Sequence, residues 1–316
     1  ASHPNIDMAC RTNMWPRFYN QYGDLSHRMN FERCLDAMLH YKHVAFLKPD
    51  PDRIRREFWQ GPPTYARLFA LVLQHHAEGE GKPRWGDQTG LIERYADQVF
   101  AAYPDAKMIH MMRDPRDRYE ASLALWPNQK GRVGGATARW LYSVELAKRN
   151  LRKYPDRYKV VQFETMVSRP EETLREVCAF LSEEYTPAML AMEGALDHLK
   201  KLIDGSEERP GQQGALSTAF IGRYRQAVSK YEIAFMQRYA GRDMFAYGYP
   251  LEPIHFSFAE RLHFTLIDWP MNLVRMLSWR SLEAIQHHFP AYLGRRPARK
   301  MVIRHPRSQP CGIESA

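Results

Sequence analysis

The stretch from Ala106 to Ser122 constrains this chain more than any other, because an apolar run passes without a spacer into the start of a helix. Met108 to Met112 suits a central parallel strand, Asp114 can cap a helix and Pro115 fits its first position, so the break falls just after Arg113. In an open parallel sheet the carboxyl edge of the strands holds the ligand crevice, and a guanidinium beside a helix N-terminus makes an anion site. Ser122 follows about two and a half turns into that helix and can offer a hydroxyl to the same anion. Taken alone, an arginine at a strand end is as often a solvated or salt-bridged residue.

Further segments extend the pattern. Tyr158 to Gln162 reads as a second strand, followed by a helix with Pro170 in its first turn; Leu174, Val177, Cys178 and Leu181 recur at helical spacing and give it one apolar stripe. Gly222, Arg223 and Tyr224 precede an amphipathic stretch that ends near Tyr247-Gly-Tyr-Pro250. Gly222 permits close backbone approach, Arg223 supplies charge and Tyr224 a stacking face. The bland alternative is a helix cap followed by solvated residues.

Arg113-Asp-Pro-Arg116 with Ser122 resembles the 3′-phosphate-binding element of sulfotransferases. These enzymes move a sulfuryl group from 3′-phosphoadenosine-5′-phosphosulfate (PAPS) to an acceptor hydroxyl or amine. Phe163-Glu-Thr165, Pro170-Glu-Glu-Thr-Leu174 and Phe180-Leu181 resemble the family's second nucleotide-side element, in which an aromatic ring lies near the nucleotide; Phe163 keeps the ring without a hydroxyl. The Gly222-Arg223-Tyr224 turn is similar to one that closes over the 3′-phosphate and adenine. The type it resembles is that of bacterial PAPS-dependent sulfotransferases related to the tyrosylprotein sulfotransferases. The resemblance covers roughly residues 1–250 and implies a P-loop NTPase-like, three-layer α/β fold with a short parallel sheet.

Two departures qualify the resemblance. Trp85-Gly-Asp-Gln88-Thr-Gly90 resembles the family's Gly-Asp-Lys-Thr turn, whose lysine lies near the transferring group, but Gln88 stands at the catalytic position. An amide donates a hydrogen bond but carries no charge, so Arg84 or a residue beyond this sequence would take the role, or activity would fall. The family's opening strand and phosphosulfate-binding Pro-Arg-Ser-Gly-Thr loop do not occur, and Ala1-Ser-His-Pro4 looks like the end of the helix that follows that loop. The reading is therefore an N-terminally incomplete sequence, poorly active by itself. Gly79-Glu-Gly-Lys82 is a loop and not a phosphate cradle, because Pro83 follows the lysine. Where tyrosylprotein-type relatives carry a glutamate base, this chain has Cys10 and Arg11; Asp7, Asp24 and His27 are near in sequence, but none is assigned as base.

Composition agrees without demanding any of this. The net charge is +9, from 45 Lys plus Arg against 36 Asp plus Glu, which fits a multiply charged anionic co-substrate. No ribonucleoprotein, zinc-finger or recognition-helix signature accompanies that charge, so no nucleic-acid partner is expected. Cys10, Cys34, Cys178 and Cys311 form neither a disulfide framework nor a zinc pattern, and a reducing cytoplasm is the simplest setting. His40, His43, His75 and His76 lack a companion Cys or acidic cluster, so no metal is expected.

Residues 1–80 read as largely helical, with segments at 30–41, 52–60 and 64–76; in the family such helices wall the acceptor pocket. A long helix over 136–154 places Trp140, Val144, Ala147 and Leu151 on one face, after a flexible turn at Gly131-Arg-Val-Gly-Gly135. Residues 251–316 form a helical appendix, read as helices at 257–269 and 271–289 with a kink or turn between them at Pro270, and with six basic residues between Arg295 and Arg307. Its default role is packing on the core or a second subunit; contact with a membrane surface through Trp269, Trp279 and the basic run is the minor reading. The functional expectation is a sulfotransferase using PAPS and no metal, acting on an unidentified hydroxyl-bearing acceptor. The alternatives are a catalytically impaired nucleotide-binding or interaction relative, and a nucleotide kinase whose Walker lysine would lie upstream.

Overall fold

A computed structural model describes residues 2–191 and 216–288. The basic run at 295–307, Cys311 and the stop at Pro290 lie outside the described residues. Within them the chain is mixed α/β and mostly helical, with four short strands: β1 (Ile6–Cys10), β2 (Arg84–Gln88), β3 (Met108–Met112) and β4 (Tyr158–Gln162). They form two parallel pairs in place of one continuous sheet. β1 lies beside β2 with Ile6 opposite Arg84 and Cys10 opposite Gln88; β3 lies beside β4 with Met108 opposite Tyr158 and Met112 opposite Gln162.

β1 falls where the sequence reads as helical. Five residues containing Asp7 give too short an alternation to see locally, and the strand is specified by β2, far along the chain. Between them run α1 (Met14–Phe18), α2 (Arg28–Leu39), α3 (Lys42–Ala45), α4 (Pro51–Phe58) and α5 (Tyr65–Gly79). Asp50 caps α4 by accepting from the backbone of Asp52 and Arg53, with Pro51 in the first turn, and Thr64 caps α5. These helices bury a core of their own around Trp15, Phe31, Leu35, Ile54, Phe58 and Leu68, in which Phe31 and Phe58 stack at 4.2 Å.

After β2 come α6 (Ala96–Ala102), β3, α7 (Pro115–Leu125), α8 (Val133–Lys153), β4, α9 (Phe163–Ser168), α10 (Pro170–Leu181) and α11 (Ala188–Ala191). β3 is not buried on both faces. Met108, His110 and Met112 point inward, whereas Ile109 and Met111 are exposed among the described residues. The inward imidazole of His110 is accommodated by Tyr158 Oη at 2.6 Å and Ser143 Oγ at 3.0 Å, and Ser143 donates to Glu93 at 2.7 Å. Burial lowers the His110 pKa and so favours the neutral ring. On α8, Trp140, Val144 and Ala147 are buried as their spacing predicts, but Leu151 is exposed and Asn150 takes the inner position, donating to the Glu93 carbonyl at 2.8 Å.

The last elements are α12 (Tyr224–Ala227), α13 (Lys230–Ala246), α14 (Phe258–His263), a π-helical turn (Phe264–Asp268) and α15 (Trp269–His288). Pro270 does not break the appendix in two. The π turn, in which Trp269 N donates to Phe264 O, sits immediately before the proline and lets the helix continue past a residue that cannot donate. α15 packs along α8, and Gly134, expected to belong to a flexible turn, is in fact in the first turn of α8. A Cβ there would lie 1.9 Å from the Asn272 carbonyl oxygen, so this glycine is required by the contact. Among the described residues no helix is long and apolar enough to cross a membrane.

Candidate functional site

The β3–α7 junction forms as its local signals require. Asp114 caps α7 by accepting from Arg116 N at 2.8 Å, and its own N–H donates to Glu164 Oε1, at the start of α9, at 2.9 Å. Burial raises the Glu164 pKa, opposed by that N–H and by the Tyr249 hydroxyl. Arg116 is fully buried: Nε donates to Asp114 Oδ1 at 3.0 Å, Nη2 to Asp114 Oδ2 at 2.6 Å and to the Pro250 carbonyl at 2.8 Å, and Nη1 to Gln237 at 3.0 Å. Its guanidinium lies 4.2 Å from the centre of the Tyr224 ring.

Arg113 stands at the carboxyl end of β3 with its guanidinium 4.4 Å from the Phe163 ring centre, so the two predicted residues meet. Its carbonyl is held by Trp140 Nε1 at 2.9 Å, and Nη2 donates to the Phe220 carbonyl at 2.9 Å. Its Nε is buried without a hydrogen-bond partner, and no carboxylate among the described residues pairs with it. A guanidinium has five N–H donors, and a buried one left open suits an anion.

The segment carrying Arg223 is brought to the same place. Asp117 Oδ2 accepts from Gly222 N at 2.7 Å and Oδ1 from Tyr224 N at 3.0 Å, which clamps this turn onto the first turn of α7. Gly222 adopts φ 76°, a left-handed conformation that glycine takes at little cost. Arg223 is half exposed and pairs with Glu120 at 3.2 Å. Tyr224 is only 2% exposed, with Arg116 on its ring and its hydroxyl on Glu252 at 2.5 Å, so its face packs protein and is not presented to the crevice. Ser122 lies farther along α7 and donates to the Tyr119 carbonyl at 2.7 Å.

Gln88 is not brought to this cluster by any contact. It ends β2, exposed, on the other strand pair. Arg84, the substitute cation considered from sequence, is at the opposite end of the same strand, about 13 Å away. There it donates to the Leu181 carbonyl at 2.9 Å and pairs with Glu183, because the strand's start abuts the end of α10. The residue that sequence reasoning missed here is Asp87. Thr12 and Thr89 donate to its two oxygens at 2.7 and 2.9 Å, yet burial pushes its carboxyl up to about 6. A carboxyl titrating there can exchange a proton near neutral pH. Of the other acid–base candidates, the Cys10 thiol is raised by burial, Asp7 faces His76 at 3.6 Å, and Asp24 caps the turn before α2.

A cavity of about 830 Å³ lies between α1, α5 and α6. Trp15, Phe18, Tyr19, Tyr22, Tyr65 and Tyr103 are on its walls, with Gln98, whose Oε1 is buried without a partner. The described residues contain no cluster of His, Cys, Asp and Glu able to hold a metal ion.

Comparison with known proteins assigns the sequence to a family. Residues 1–187 match the model of the sulfotransferase family. Among solved structures, the sulfotransferase domain of the Synechococcus PCC 7002 olefin synthase is similar at 17% identity and a TM-score of 0.46, covering 80% of this chain and 98% of that one. The sulfotransferase domain from the curacin biosynthetic pathway is similar at 15% identity and a TM-score of 0.49, covering 80% and 92%. No curated protein matches the chain. The family match spans more than half of the sequence: the chain belongs to the sulfotransferase family.

Proposed function

We propose that this protein is a PAPS-dependent sulfotransferase, with the P-loop NTPase-like layering of its family, acting on an acceptor hydroxyl or amine. The observation that carries the reading is Arg113: a guanidinium with a buried, unpartnered Nε, beside an aromatic ring and the N-terminus of α7. Such a group suits the 3′-phosphate, with Arg223 at the rim and Phe163 available to the base. Ser122 would join only by releasing the Tyr119 carbonyl.

In the transfer, the acceptor oxygen or nitrogen forms a bond to sulfur as the bond from sulfur to the bisphosphate breaks, and the acceptor's proton passes to a base. Asp87 is our candidate for that base, and the aromatic cavity between α1, α5 and α6 is our candidate for the acceptor's place. Gln98 there would accept a hydrogen bond that nothing among the described residues supplies. Cys10, Cys34 and Cys178 are free thiols, in keeping with a reducing, cytoplasmic setting.

One observation favours a second reading, a relative that binds nucleotide without turnover: Gln88 replaces the lysine and Arg84 is engaged with Glu183. Calorimetric titration with adenosine 3′,5′-bisphosphate and with adenosine 5′-monophosphate tests the shared part. Preference for the bisphosphate is expected; equal affinity for the two would remove the 3′-phosphate assignment. Binding without sulfuryl transfer to any acceptor would select the second reading.

A further inference from the structure

The helix running from Phe258 through the π turn to His288 is apolar on two sides. One side meets the protein: Asn272, Met276 and Glu283 are buried, Asn272 accepts from Gly134 N, Arg280 pairs with Glu145, and Glu283 pairs with Arg94. The other side is open. Phe258 is 86% exposed, Leu266 64% and Val274 62%, and Leu262, Leu277 and Leu282 are exposed with them. A helix apolar on both sides is ordinarily covered on both.

The π turn makes these residues one surface. Its one extra residue is worth about 100° of rotation. An uninterrupted α-helix would continue the line of Leu262 and Leu266 into Trp269 and Leu273, which instead pack inward. The extra residue passes the line to Val274 and onward, giving an apolar stripe about 36 Å long from Phe258 to Leu282. Trp269 and Trp279 take no part, since Arg238 lies over one ring and Tyr142 and Arg139 lie against the other.

Charge selects the occupant. All three acidic residues of this helix are engaged, Glu260 with Lys230, Asp268 with His263 and Glu283 with Arg94. The sequence that follows has no acidic residue before Glu314 and carries Arg295, Arg296, Arg299, Lys300, Arg304 and Arg307. An anionic bilayer attracts such a cationic run. We infer that the exposed stripe of residues 258–288 lies in the surface of an anionic membrane, seated by its aliphatic side chains and held by the basic run that follows. Neither signal alone gives stable attachment; an apolar face and a polybasic segment together do.

Co-sedimentation with vesicles of phosphatidylcholine alone and of phosphatidylcholine with phosphatidylserine tests this on the full chain. Partition onto the phosphatidylserine vesicles is expected, with little onto the neutral ones. The double variant L266E/V274E, at two solvent-exposed positions, should retain its circular dichroism spectrum and melting profile and lose at least about tenfold in partition. Replacing Arg295, Arg296, Arg299 and Lys300 by Gln should weaken it by a similar factor. Absence of binding to anionic vesicles overturns the inference. So does binding that L266E/V274E leaves unchanged, which would mean a purely electrostatic tail, or a dimer dissolved by that variant in a chain that ignores vesicles, which would assign the stripe to a second copy.

Discussion

The two strand pairs end in opposite chemistry. At the end of β3 and β4 the chain concentrates cations: Arg113 has an unused donor, Arg116 is locked beneath the turn at 222–224, and Arg223 stands at the rim. At the end of β1 and β2 it places a carboxyl between two hydroxyls and follows it with an uncharged amide, Gln88. In the function proposed above, one end would hold an anion and the other handle a proton. Group transfer needs both kinds of group.

The sharpest way to break this contrast is to remove the buried scaffold of the cationic end. Arg116→Ala leaves Asp114 buried without its bidentate partner and strips the Tyr224 ring of its cation. Urea denaturation should show a loss of about 3–5 kcal/mol. A loss under about 1 kcal/mol would mean that the junction is held by something else.

The proton-handling end has a pH signature of about 3 kcal/mol. Because Asp87 titrates at about 6 in the folded chain and near its ordinary 3.8 when unfolded, the folded state holds a proton that the unfolded state releases in between. The contribution of Asp87 to stability should therefore fall as pH rises from about 4 to 6, and Asp87→Asn should lack that component. Matching stability–pH profiles for the two proteins would show an ordinary surface carboxylate.

A smaller effect is expected in binding. Arg113→Ala should weaken adenosine 3′,5′-bisphosphate by about tenfold or more, as losing a charge-assisted contact does, while the melting profile stays close to that of the parent. Unchanged affinity by calorimetry would take the anion away from this arginine. Gln88→Lys blurs the contrast by adding a cation to the β1–β2 end. It should lower the Asp87 pKa by about half a unit, followed by carboxyl carbon NMR; no displacement would place the new ammonium out in solvent.

What could be read in the sequence was what neighbours in the chain decide. Asp114, Pro115 and the apolar run before them fix the β3–α7 junction within a few residues, and Arg113 meets Phe163 because each ends a strand of one parallel pair. β1 and Asp87 escaped because their environment is set by pairing between residues 6–10 and 84–88, and a short strand carries no periodic signal of its own. Tyr224 was read as a stacking face from the resemblance of Gly222-Arg223-Tyr224 to the family's turn over the adenine. The partner that buries it, Arg116, lies on another helix. Pro270 was read as a kink or turn because proline removes a donor, and only the structure shows the looser turn that absorbs the loss.

That looser turn has a consequence for how this chain tolerates change. Between Phe264 and Asp268 the winding carries one residue more than an α-helix needs, and both sides of the helix depend on it. Loss of a single codon there would give a straighter helix that keeps Trp269 to His288 seated on α8 while turning everything before it by about 100°. All side chains but one would survive such a deletion and most would keep their neighbours, yet the outer face would be cut into two patches pointing different ways. Substitutions in this segment should thus be borne far more readily than a change in its length.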